Sequence, residues 1–121
     1  MANMEEEARR AKSLDEAGLL EELGSQIAGA QAFSLDARDL KERATRWLKA
    51  QQAALQDHVC PDPRVYDWCM TKTETDDVSL VIELAKLLQE FALPVKAVTL
   101  AALLAKRGLK EFCGPRWIRK S

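Results

Sequence analysis

The chain has 121 residues, 47% of them hydrophobic and 31% charged, and a formal net charge of −1. That length fits one domain with a modest core, and the near-neutral balance excludes a global pull toward nucleic acid or acidic membranes. Any charged partner must therefore be read by a local patch. No run approaches the ~20 apolar residues of a membrane span. The N-terminal MANMEEEARRAK lacks the apolar segment of a signal peptide, so a cytoplasmic setting is expected. Cys60, Cys69 and Cys113 are odd in number. This argues against a closed disulfide framework and fits a reducing compartment.

Residues 1–12 are charged without a clear apolar stripe and read as frayed helix or disordered tail. A helical domain is expected over 13–108. Ser13-Leu14-Asp15-Glu16 has the spacing of a capping box. Behind it, Leu19, Leu20, Leu23, Ile27 and Ala30 follow helical spacing, interrupted by Gly18, Gly24 and Gly29. Each glycine costs roughly 1 kcal/mol against alanine in a helix interior. Such a helix either leans on tertiary contacts or uses its small residues to let another helix come close, and it is expected to break near Gly24-Ser25.

Ser34 or Asp36 can cap a second helix over about 37–56. Leu40, Ala44, Trp47, Leu48, Ala54 and Leu55 share one face. The other face is charged with mixed signs, and Asp39–Arg43 and Glu42–Arg46 have the acid-first spacing of helical ion pairs. That face reads as solvated. After a connector at 57–61, Asp62-Pro63 opens a short helix through about Met70. Thr71 to Asp77 is a polar loop that ends in a cap candidate.

Val78 to Phe91 is a clear amphipathic helix. From Val95 to Ala105 the only polar side chains are Lys96 and Thr99. A helix apolar nearly all round is buried, so Val95–Arg107 is the expected centre of the core. Pro94 suits its first turn, and Gly108 suits the residue past its end, with Leu109 folding back toward Leu104. Residues 109–121 form a basic arm with a turn at Gly114-Pro115. The expected fold is all-α, a small four- to five-helix bundle with a basic C-terminal arm.

Few constellations carry chemistry. His58, Cys60, Cys69 and Cys113 are a legitimate zinc ligand set, but the spacing is wrong for a usual zinc motif and no Cys-x-x-Cys exists. His58 and Cys60 are a nominal nucleophilic pair, with nothing to supply an oxyanion hole. No Gly-rich phosphate loop is present. The expectation is a non-enzyme with no metal and no cofactor.

The C-terminal end is locally basic through Lys106, Arg107, Lys110, Arg116, Arg119 and Lys120, with Trp117 among them. Such groups can neutralise phosphates and stack on bases. Leu104-Ala105-Lys106-Arg107-Gly108-Leu109, followed by Gly114, Arg116 and Trp117, resembles a short pattern of the large serine recombinases. In that family a helix ending Leu-Asn-x-x-Gly-Ile precedes a turn with Gly-x-x-Trp; here Ala105 stands at the Asn position. The resemblance covers only this stretch, and what it implies is contact with DNA. Leu19, Leu20, Leu23 and Ile27 on the glycine-weakened helix, with Trp68, are instead candidates for a protein interface, since aromatic groups are common anchors. A helical interaction or regulatory protein, self-associating or joined to a partner, is the first expectation. A DNA-binding accessory protein using a helix-turn-helix-like pair and the basic arm is the second.

Overall fold

The computed structural model describes residues 4–71, 78–91 and 93–120. Among them are seven α-helices: α1 (Met4–Ser13), α2 (Glu16–Ala28), α3 (Ala37–Val59), α4 (Pro63–Thr71), α5 (Val78–Leu88), α6 (Ala97–Arg107) and α7 (Leu109–Lys120). A 3₁₀ segment, Gly29–Ser34, joins α2 to α3. The all-α class is as expected. The expected four- to five-helix bundle with a C-terminal arm is not, because both ends of the chain add a helix.

At the N-terminus, Glu5, Glu6 and Glu7 occupy the first turn of α1 and Arg10 and Lys12 the last, a distribution that complements the helix dipole. Its apolar stripe is Met4, partly buried, with Ala8 and Ala11, both buried, and α1 packs on α5 and α6. At the C-terminus, α7 continues through Gly114-Pro115 where a turn was expected. Pro115 removes the N–H that would bond the Glu111 carbonyl. The loss is offset because α7 is held laterally on α3. The polar loop expected at 71–77 and its cap lie outside the described residues, apart from Thr71, which ends α4.

α6 is the centre of the core, as its composition requires. Every residue from Val98 to Ala105 is buried, Leu100, Ala101 and Leu103 completely. Its start is later than Pro94 suggests: Lys96 is the N-cap, with extended backbone. The reason is a side chain from α2. The Gln26 carboxamide accepts from the Lys96 N–H at 2.8 Å and donates to the Thr99 hydroxyl at 3.0 Å. One residue thus satisfies an orphan donor of the helix start and the buried Thr99 together. Gly108 ends α6 at φ 99°, and Leu109 beyond it is fully buried.

α2 does not break at Gly24. It runs to Ala28 and stops at Gly29, φ 58°. The residue at its start is Asp15 rather than Ser13, its carboxylate accepting from the Gly18 N–H at 2.7 Å. Ser13 closes α1 instead, bonding the Arg10 carbonyl. Gly24 lies where α2 meets α3: a Cβ there would sit 2.0 Å from the Leu40 carbonyl oxygen. Close helix approach is therefore what this glycine provides.

Candidate functional site

The four residues that could have formed a metal or nucleophilic site are used otherwise. Cys60 and Cys113 are joined in a disulfide, so neither offers a thiolate, and the expectation that the cysteines stay unpaired is corrected. The signal was weak because the partners lie 53 residues apart. Cys69 is a free, partly exposed thiol, its pKa raised by burial against the opposing pull of Lys110. His58 lies within α3, not in a connector; its Nε2 is 3.3 Å from the Leu87 carbonyl and 3.3 Å from Glu90. Its ring meets Phe91 edge-on at 3.8 Å. It joins α3 to the end of α5. Among the described residues no group of three His, Cys, Asp or Glu side chains could hold a metal ion.

The basic C-terminal set is partly committed within the chain. Arg107 Nε donates to Glu16 at 2.6 Å, tying the end of α6 to α2. Arg116 bridges to Asp57 at 2.6 Å and also reaches the Ala53 carbonyl at 3.3 Å and Gln56 Oε1 at 3.4 Å. Lys106 and Lys110 are exposed. The side chains of Trp117, Arg119 and Lys120 lie outside the described part of the structure. No winged turn follows α6, because α7 is a helix.

The expected protein-interface residues also turn inward. Leu19 and Leu23 are completely buried in the domain's own core, so they are not open to a partner. Leu20, Ile27 and Trp68 are partly buried against the same core. The leucine stripe of α2 closes the bundle, because α2 packs directly against α3 and α6.

Two surface features were not picked out by the sequence. The first is Phe33, 98% exposed on the 3₁₀ segment, in which no residue is buried. The stretch from Leu23 to Leu35 carries no charge, which is the signal that could have marked it. The second is a stripe along α3. Gln56 donates to the Phe112 carbonyl at 2.9 Å, and Ala53, Asp57 and Cys60 complete the seat of α7. Those positions fall on one helical stripe, which continues backward through Gln52, Lys49, Thr45, Glu42 and Arg38. Over that earlier half the stripe is open. Arg38, Lys41, Glu42, Thr45 and Arg46 form a shallow, open surface on α3 alone. Thr45 also borders a cavity of about 210 Å³ lined by Lys49, Gln52, Arg107 and Phe112 over the buried Leu48, Leu55 and Leu104.

The charged face of α3 is not paired as its spacing suggests. Glu42 bridges back to Arg38 at 3.6 Å rather than forward to Arg46. Among the described residues, Lys41, Arg46 and Lys49 have no carboxylate at ion-pair distance.

Among the described residues, no helix is long and apolar enough to cross a membrane. Comparison of the chain with protein-family models, curated proteins and solved structures gave no match.

Proposed function

We propose that the chain is a non-enzymatic helical interaction and regulatory protein that acts through protein–protein contacts, in a larger assembly or as a dimer. The observation that carries this is Phe33. A phenylalanine 98% exposed on an uncharged segment forgoes burial worth about 1.5–3 kcal/mol. A partner that covers it recovers that amount, roughly a ten- to hundredfold gain in affinity. The DNA-binding alternative draws less support, because Arg107 and Arg116 already serve Glu16 and Asp57. A cytoplasmic setting stays with the proposal and has a consequence. There Cys60 and Cys113 would be kept as thiols, and α7 would rest on the Gln56 and Arg116 contacts.

The test is a photo-crosslinking amino acid placed at position 33 in cells that express the chain, with position 50 as the control. Phe33 and Ala50 are both exposed. A discrete covalent adduct at 33, absent at 50, is expected, and its mass tells a second copy from another protein. No adduct at 33, or the same adducts at both positions, refutes the proposal.

A further inference from the structure

The attachment of α7 divides into one covalent link and a few non-covalent ones. Leu109 and Cys113 are completely buried and Phe112 partly so, a single stripe at helical spacing. That stripe lies among α3, α4 and α6. Beyond it the hold is the Gln56–Phe112 bond and the contacts of Arg116 with Asp57, Ala53 and Gln56. Asp57 is exposed, and an ion pair at a surface is worth little. Pro115 removes a further hydrogen bond from within the helix. By contrast α6 is buried without a break from Val98 to Ala105. The Cys60–Cys113 disulfide pins the second turn of α7 to the residue that caps α3. Both cysteines are buried, so a small thiol or disulfide from solvent reaches them only when α7 lifts.

We propose that α7 is a redox latch: it can lift from α3 while Cys60 and Cys113 are thiols, and a low-molecular-weight disulfide such as glutathione disulfide locks it down by joining them. The exchange has two steps. With α7 lifted, the Cys113 thiolate attacks one sulfur of glutathione disulfide, which forms a mixed disulfide and releases one glutathione thiolate. As α7 settles, the Cys60 thiolate attacks Cys113 Sγ and releases the second. Two protein thiols are oxidised, one glutathione disulfide is reduced to two thiols, and the two cysteine protons pass to the glutathiones. Cys69 on α4 stays outside the exchange, because burial raises its pKa and keeps it as the unreactive thiol. The latch covers the side of the core under Phe112, where Leu55 and Leu104 lie. In a reducing cell it rests unlocked, and an oxidising shift closes it. It stands whether or not Phe33 touches a partner.

The test is hydrogen exchange, read by mass spectrometry, on the intact protein as the disulfide and as the dithiol held in dithiothreitol. Protection over residues 110–116 is compared with protection over Leu100–Leu104 of α6. In the dithiol, α7 should be at least about tenfold less protected than α6, because it opens while the core stays folded. In the disulfide that gap should close by about tenfold or more. Glutathione disulfide, added without denaturant, should convert the dithiol to the disulfide. A gap that is the same in both forms overturns the proposal, since the bond would then stabilise the whole domain or nothing. So does a dithiol that glutathione disulfide leaves unoxidised under native conditions.

Discussion

The two halves of α3 carry the same helical stripe and meet different fates. In the later half Ala53, Gln56 and Cys60 are small or uncharged, and α7 lies on them through a disulfide, the Gln56 bond and the Arg116–Asp57 pair. In the earlier half Arg38, Lys41, Arg46 and Lys49 occupy the equivalent surface and nothing described covers it. Fold and charge explain the difference together. Lys110 and Arg116 make α7 basic, so it finds Asp57 and would meet repulsion further back. Covering charged side chains also costs desolvation unless counter-charges come with the cover. α3 is thus closed by its own chain where it offers Asp57 to a basic helix and left open where its own excess charge is basic.

The comparison can be broken most strongly at the disulfide. Replacing Cys60 by Ala should cost about 4 kcal/mol under oxidising conditions, the loop-closure value for partners 53 residues apart. Urea unfolding with and without dithiothreitol measures it. Equal curves would mean that the closed half is held by non-covalent contacts alone. Next is the core itself: Leu103→Ala, at a fully buried position, should cost about 3 kcal/mol within a range of 2–5. A variant as stable as wild type would displace α6 from the centre of the core.

Gly24→Ala should cost about 2 kcal/mol, because its methyl group would press on the Leu40 backbone and part α2 from the open half. In the closed half Gly114→Ala is the counterpart. Apart from its chain neighbours a Cβ there meets nothing within 4 Å, but the Pro115 ring crowds the Cβ of a helical residue before it and offsets the gain of up to about 1 kcal/mol from helix propensity, so thermal melting should show little change. A last, small effect lies just beyond the closed half. The Asp62 carboxyl is held below its ordinary pKa by the Arg64 side chain and then by the Arg64 N–H. Its contribution is present above the unfolded carboxylate pKa and is lost as pH falls through the lowered folded value. Asp62→Asn should flatten that part of the acid-unfolding curve by removing at neutral pH the stability that the wild-type carboxylate supplies there.

Helix punctuation was legible where a local signal was strong. Asp36 caps α3, Asp62-Pro63 opens α4, and Gly108 closes α6, each as residue type requires. The burial of α6 followed from composition alone. What escaped the sequence depended on distant partners. α1 shows only Ala8 and Ala11 as its buried stripe, too little to register as periodicity before α5 and α6 are in place. α7 overrides a Gly-Pro pair because Cys60 and Gln56 hold it from outside. The candidate surfaces fared worse. The leucines chosen for an interface fill the core, and the mixed charges of α3 concealed that Glu42 would turn toward Arg38. Phe33 was passed over because a lone aromatic after a helix gives no sign of whether anything will cover it.

Gln26 has a further consequence, for the order in which the molecule comes apart. The first turn of α6 is completed by a side chain 70 residues earlier in the chain. The most buried helix is therefore one that its own neighbours in sequence cannot finish. The Lys96 amide, although it belongs to an exposed residue, should exchange its hydrogen slowly, released only when α2 leaves. Opening at that point then reports the parting of the chain's two ends rather than local fraying.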